Sequence, residues 1–362
     1  MKHVGATPIT SLTPSLSKEM IDHFLMPLLA QRTNEARSIS PHYETLWQDI
    51  NNLYSAGGKR LRSYMTIVTF ETYSKDPIES ILPAAAAQEL LHIAMLIHDD
   101  IIDRDDIRYG VKNITRQYLD HYEEIIDHVE DRRHYANSAA ILAGDLLISE
   151  AFILMTETAV PAHVILAAQR LFSKAMFQVI GGELLDTEAA FRGIDAAHPL
   201  TIAEQKTASY SFVSPFLMGA TLAGAPPEQL ERLQNFGEQL GIAYQLRDDI
   251  IGMFGNEAAT GKSVDSDILE GKRTLLIEEF FKLADETQRI TFDALFGRHD
   301  LTDDEIMTIK SLLVDSGAKD AVETLITAYR THSYAILETL EMDDEHRKAF
   351  SNLIELCLKR DR

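Results

Sequence analysis

Proline interrupts helices more reliably than any other residue, and its placement here leaves helix open over most of the chain. None of the 11 prolines falls between Pro83 and Pro161, and none follows Pro227. Residues 82–103, 139–159, 163–181, 202–223 and 228–254 repeat apolar side chains three and four apart and are rich in Ala and Leu. Alternation of period two is not evident, and no Asn-Gly or Asp-Gly pair marks a hairpin. The expected fold is all-α. Segments that are apolar nearly all round, ELLHIAMLIHDD above all, belong inside a large bundle rather than on its surface. One helical domain over residues 21–362 is the simplest account of a chain with 45% apolar residues. Residues 1–20, with Pro8 and Pro14 among Ser and Thr, read as a loose arm, and the charged stretch 121–134 reads as a solvent-exposed connector.

Charge narrows the function. With 34 basic against 56 acidic side chains, the formal net is -22, which excludes a general nucleic-acid binder, because such affinity comes from neutralising phosphates with Lys and Arg. Any anionic ligand must be held by a local basic cluster or by metal. The single cysteine, Cys357, excludes an intrachain disulfide and a cysteine-based zinc site, and makes the cytoplasm the expected compartment. No uninterrupted apolar run is long enough to cross a bilayer, and MKHVGATPITSLTPSLSKEM lacks the apolar core of a secretory signal.

The most informative segment is ELLHIAMLIHDDIIDRDDIRYG, where an apolar helix ends in five aspartates within eight residues: Asp99, Asp100, Asp103, Asp105 and Asp106. Asp99 and Asp103 are one turn apart on one face, with Asp100 beside them. Like charges at that spacing, at the negative end of the helix dipole, are destabilising and call for a compensating cation. Glu89 and His92 extend the same polar stripe towards the helix start. A second pair, Asp248 and Asp249, ends another apolar helix in FGEQLGIAYQLRDDIIGMFG, with Gln245 one turn earlier and Gly237 and Gly241 placed for close helix approach. Two carboxylate clusters on buried helices suit magnesium, which takes oxygen ligands, keeps several waters and binds one or two carboxylates together with substrate phosphates.

The basic residues sit beside these clusters. Paired glycines in GGKRLR, residues 57–62, allow backbone amides to approach an anion, and Lys59, Arg60 and Arg62 follow. Arg108 comes just after the first acidic cluster, Lys206 and Thr207 lie in AEQKTASY, and Lys262, Asp267 and Lys272 lie in TGKSVDSDILEGKRT after the second.

Taken in order, GGKRLR, ELLHIAMLIHDDIID, ILAGDLL, GGELLD, KT, and YQLRDD followed by GK, SDI and K resemble the motifs of the trans-prenyl diphosphate synthases, or polyprenyl synthetases, over about residues 54–276. The resemblance implies an all-α bundle of mostly antiparallel helices around a deep central cavity, assembled as a homodimer. It implies that Asp99 and Asp103, with Asp100 in support, form one magnesium cluster and Asp248 with Asp249 the other, with three magnesium ions once substrate is bound. Arg108, Lys206, Thr207, Gln245, Lys262 and Lys272 resemble the grip on an allylic diphosphate, and Lys59, Arg62 and His92 resemble the isopentenyl diphosphate site. The implied reaction ionises the allylic diphosphate, joins the resulting cation to isopentenyl diphosphate and eliminates a proton, inside apolar walls that exclude water.

Two departures stand out. Where the family has two arginines before glycine, the chain has Arg108, Tyr109 and Gly110, and Lys112 or Arg116 is the expected substitute. Where the second motif has its last aspartate, the chain has Gly252, which predicts weaker metal binding. The positions four and five before the first aspartate, bulky in the family where products are short, are Met95 and Ala94. An open floor there predicts a geranylgeranyl or medium-length product. The alternatives are a regulatory subunit of a heteromeric synthase, which Tyr109 and Gly252 favour, and a terpene cyclase, whose second metal triad YQLRDDIIGMFG does not contain.

Overall fold

The structure, a computed structural model, describes residues 12–192, 197–255 and 266–359. Helix α1 (Pro14–Ile39) opens with Thr13, whose hydroxyl accepts from the Leu16 amide, and with Pro14 where an amide has no helical partner. Ser40 closes α1 and caps α2 (Pro41–Ala56) in the same way. Then follow α3 (Leu61–Tyr73), α4 (Leu82–Ile102), a two-stranded ribbon of β1 (Ile107–Arg108) and β2 (Val111–Lys112), α5 (Ile114–His121), α6 (Val129–Thr156) and α7 (Ala162–Arg192). Residues 199–222 run as a short α8 (Pro199–Ile202), a π-wound segment (Ala203–Val213) and α9 (Ser214–Leu222). The chain continues through α10 (Pro227–Phe254), α11 (Ser266–Leu269), α12 (Leu275–Leu283), α13 (Glu286–Leu295), α14 (Asp303–Asp315), α15 (Ala318–Leu337) and α16 (Asp344–Leu358). Reciprocal capping boxes, Asp285 with Gln288 and Thr302 with Glu305, start α13 and α14.

Helix α4 is the spine. Its Ala84, Ala85, Ala86 and Ala87 are buried and small enough for neighbours to approach closely, and α6 packs along it. One core patch joins α4 and α6 to Leu25 of α1 and Trp47 and Ile50 of α2. A second stacks Phe216, Phe236 and Phe350, with ring centroids 5.2–5.6 Å apart, and so ties α9 and α10 to α16. A third, around Phe280 and Phe292, supports the far end of α10.

Four expectations change. The arm is shorter than residues 1–20, because α1 begins at Pro14; residues 1–11 lie outside the described residues. The connector is confined to residues 122–128, since α6 begins at Val129. A hairpin is present, built on Tyr109 and Gly110 rather than on an asparagine turn. Finally, α6 is long and apolar enough to cross a membrane, with a mean hydropathy of 1.8 over its best 18 residues, and 44% of that window is buried inside the molecule.

Candidate active site

The first acidic cluster is locked by the hairpin. Tyr109 and Gly110 both adopt left-handed conformations, with φ of 54° and 77°, as a tight two-residue turn requires. The strain on Tyr109 is offset by its ring, which packs on Gly57 so closely that a Cβ there would lie 2.7 Å from Cγ of Tyr109. The turn sends Arg108 back onto α4. Its buried guanidinium donates Nε to Asp100 at 2.7 Å and Nη2 to Asp99 at 3.2 Å and to Asp105 at 3.4 Å. Asp100 is thus a buried partner of Arg108, and burial pushes its carboxyl up to about 6 against the pull of that cation.

Asp99 and Asp103 face α7. A third carboxylate, Glu183, joins them, and one oxygen of each lies within 4.8 Å of the others. Lys206 is drawn to the same place, with Nζ 2.6 Å from Asp186, 2.9 Å from Glu183 and 3.7 Å from Asp99. Burial alone would push this ammonium down, but Asp186, Asp99 and Glu183 outweigh it and hold it above the lysine range. Burial lifts Glu183 up to about 7. Lys206 reaches this position because the π-wound segment lies against α7 and α10 at glycines: a Cβ on Gly182 would be 2.3 Å from the Lys206 amide nitrogen, and one on Gly241 2.5 Å from Cα of Ala208. The close approach expected at Gly241 is therefore made to this segment.

From the other side, α10 presents Gln245, which accepts from Thr207 Oγ1 at 2.5 Å and donates to Asp249 at 2.7 Å. Burial pushes Asp249 up to about 7, while Lys272 pulls it down. Lys272 is itself held well above its ordinary value, burial being outweighed by Asp267, Asp186, Asp249 and Asp103. Asp186, Lys206, Thr207, Gln245, Asp249 and Lys272 line one cleft of about 360 Å³, part of it open to solvent. Asp248, beside Asp249 in sequence, is exposed.

A second basic group lies beside it. Arg62 stacks on the Tyr210 ring at 4.7 Å and donates to Ser211 at 2.6 Å, and the His92 ring lies 6.4 Å from that of Tyr210. Burial and the charge of Arg62 keep His92 neutral, well below the usual histidine range. Arg62 Nε and His92 Nδ1 are buried without a hydrogen-bond partner among the described residues. Arg60 is different: it is buried at the head of α3, bonded to Asp22 at 2.9 Å and to the Tyr54 and Gly57 carbonyls at 2.8 and 2.7 Å, so it holds the GGKRLR turn rather than a ligand. Lys59 precedes it in that turn.

The fold thus brings together Asp99, Asp103, Lys206, Thr207, Gln245, Asp249 and Lys272. Lys262 lies outside the described residues. Lys112 and Arg116, the expected substitutes for the missing arginine, both pair with Asp120, at 2.5 and 2.9 Å. Met95 is half-buried on the face of Asp99, whereas Ala94 is enclosed in the core. Glu183 and Asp186 were not assigned from sequence, although their three-residue spacing on α7 was the available signal.

Residues 44–313 match the family model described as Polyprenyl synthetase. The chain belongs to the polyprenyl synthetase family. It is 33% identical over 291 residues to a short chain isoprenyl diphosphate synthase of Methanocaldococcus jannaschii, covering 80% of this chain and 82% of that one. It is 33% identical over 287 residues to the geranylgeranyl diphosphate synthase of Methanosarcina mazei, covering 79% and 81%. Among solved structures, the geranylgeranyl pyrophosphate synthase of Corynebacterium glutamicum, complexed with isoprenyl diphosphate and magnesium, superposes with a TM-score of 0.87 at 28% identity over 96% of this chain and 98% of that one. This polyprenyl synthetase is a prenyltransferase of the all-α isoprenoid synthase fold.

Proposed function

We propose that the protein is a trans-prenyl diphosphate synthase that extends an allylic diphosphate with isopentenyl diphosphate to a C20 product. The observation that carries this is the convergence of Asp99, Asp103 and Glu183 with Lys206, next to the cleft shared by Asp249 and Lys272. These hard oxygen donors fit magnesium, with Asp99 and Asp103 as its holders on one side and Asp248 and Asp249 on the other. Bound there, magnesium neutralises the diphosphate leaving group as a Lewis acid. Lys206 and Lys272, buried and held charged, stabilise the same leaving group as its charge grows. Thr207 and Gln245 orient it, and Arg108 holds Asp99 in place. Lys59, Arg62 and His92 take the second diphosphate. Met95 sits one turn behind Asp99, where a growing tail points.

We further propose a homodimer formed through α6 and α7. These helices expose Ile141, Leu142, Leu166, Phe177, Ile180 and Leu184, with Phe177 82% accessible, an apolar face that a second copy would cover. This placement of α6 accounts for its hydropathy without a bilayer, and we place the enzyme in the cytoplasm.

The test is incubation with isopentenyl diphosphate and dimethylallyl, geranyl or farnesyl diphosphate, with magnesium or with chelator, followed by mass analysis. Magnesium-dependent growth by five-carbon steps to C20 is expected. Absence of product with every primer would remove the reading. Met95→Phe should shorten the main product, and an unchanged chain length would show that Met95 does not form the floor.

A further inference from the structure

Arg62 is held by neutral groups, unlike the buried arginines near it. Arg60 is received by the carboxylate of Asp22 and Arg108 by that of Asp100. Nη2 of Arg62 instead donates to the Tyr210 hydroxyl at 3.1 Å and to the Ser211 hydroxyl at 2.6 Å, with the guanidinium 4.7 Å from the centre of the Tyr210 ring. A carboxylate partner would neutralise the cation within the protein. A phenol, an alcohol and an aromatic face fix its position and leave its charge available to an anion. Nε of Arg62, buried and without a hydrogen-bond partner among the described residues, is a donor that such an anion can satisfy.

The two supports are themselves fixed. Tyr210 and Ser211 belong to the π-wound segment, and residues on both sides of them press on α10: a Cβ on Gly241 would lie 2.5 Å from Cα of Ala208, and one on Gly237 2.9 Å from Cα of Val213. Tyr210 and Ser211 follow Lys206 and Thr207 by four residues each, close to one turn of this winding, so a single short segment serves both halves of the site. The Tyr210 ring also lies 6.4 Å from that of His92.

We infer that Tyr210, assisted by Ser211, is the positioning residue of the second diphosphate site: it holds the Arg62 guanidinium in place before isopentenyl diphosphate arrives. This rests on the proposal that Arg62 and His92 take that substrate. Without Tyr210, a long and flexible side chain must be ordered at each binding event, and the cost falls on affinity for isopentenyl diphosphate. The allylic diphosphate is gripped by Lys206 and Lys272, so its affinity is spared.

The experiment compares wild type with Tyr210→Leu, Tyr210→Phe, Ser211→Ala, Arg62→Ala and the double variant Arg62→Ala/Tyr210→Leu. Elongation is followed with each substrate varied in turn, and circular dichroism reports folding. Tyr210→Leu should raise KM for isopentenyl diphosphate about tenfold, while KM for the allylic diphosphate stays within about twofold and kcat within about threefold. Tyr210→Phe keeps the ring and loses the hydroxyl, so its rise should be smaller, about threefold, and Ser211→Ala should match it. In the Arg62→Ala background, Tyr210→Leu should change kcat/KM for isopentenyl diphosphate by less than about twofold, because the group it positions is gone. An unchanged KM for isopentenyl diphosphate in Tyr210→Leu, a parallel rise for both substrates, or an undiminished effect in the Arg62→Ala background overturns the inference. If Tyr210→Leu fails to fold, Tyr210→Phe and Ser211→Ala decide by the same split between the two substrates. Absence of elongation in wild type refutes the parent reading and this inference with it, whereas wild-type elongation with unaffected Tyr210 variants refutes this inference alone.

Discussion

The two acidic helix ends both lie within electrostatic reach of Lys272, yet they are held in different ways. At the end of α4, the cluster is locked by neighbours in sequence: the Tyr109-Gly110 turn returns Arg108 onto Asp99, Asp100 and Asp105, a buried charged clamp. At the end of α10, Asp249 is steadied by the neutral amide of Gln245, and the remaining partners come from other elements, Thr207 from the π-wound segment and Lys272 from beyond α11. A charged clamp fixes geometry strongly and fails badly when half of it is removed, because the survivor is left buried and unpaired. A neutral relay costs less to break. The first end is built for rigid placement, and the second is assembled only when distant parts of the chain meet.

The largest effect should follow from emptying the first end. Asp99→Asn with Asp103→Asn neutralises two of the three carboxylates whose oxygens lie within 4.8 Å of one another, and elongation should fall by more than about a thousandfold while the helical dichroism stays unchanged. Wild-type turnover in that variant would sink the metal assignment. Next comes the clamp itself. Arg108→Ala leaves Asp100 buried without its cation, with side-chain exposures of 7% for Arg108 and 2% for Asp100, and should destabilise the fold by about 3–5 kcal/mol. Chemical denaturation measures this, and a loss below about 1 kcal/mol would mean that the hairpin is not what secures the cluster. Gly182→Ala follows, since its methyl group would meet the Lys206 backbone at 2.3 Å. A cost of about 1–3 kcal/mol is expected, with turnover reduced as Lys206 shifts, and a melting temperature at or above wild type would refute the tight seat.

Much of this was legible in the sequence because it depends on spacing along one element. Asp99 and Asp103 share a helix face by their spacing, and the apolar repeats located α4, α7 and α10. What was not legible depends on which elements touch. Glu183 enters the first cluster only because the fold brings α7 to the end of α4, and Asp267 approaches Gly252 only because Ile268 anchors α11 in the third core patch. Arg60 and Arg62 stand two apart in one motif, and spacing alone does not distinguish them. The left-handed backbone at Arg60, φ 52°, turns it onto Asp22 and Tyr54, while Arg62 points to Tyr210. Period analysis also does not register a π-wound segment, which lies close against Gly182, Gly237 and Gly241.

The smallest effect, and the one that separates the two ends most cleanly, concerns Gln245. Its amide donates to Asp249 and so favours the ionised carboxylate, whereas burial disfavours it and lifts the group to about 7. An acid raised in the folded state makes that state bind protons more readily than the unfolded chain. The metal-free fold therefore keeps this contribution at low pH and loses it as pH rises from about 4 through 7, where the buried carboxyl must ionise. Gln245→Ala removes the donor to the anion, so the loss should deepen. The variant should cost about 1–2 kcal/mol at pH near 8 and clearly less near 5, read from denaturation of the metal-free protein at both values. An equal cost at the two values would show that Gln245 steadies Thr207 alone and leaves Asp249 untouched. A pH-dependent cost would establish that the second end holds its carboxylate through a neutral relay, in contrast to the charged clamp that holds the first.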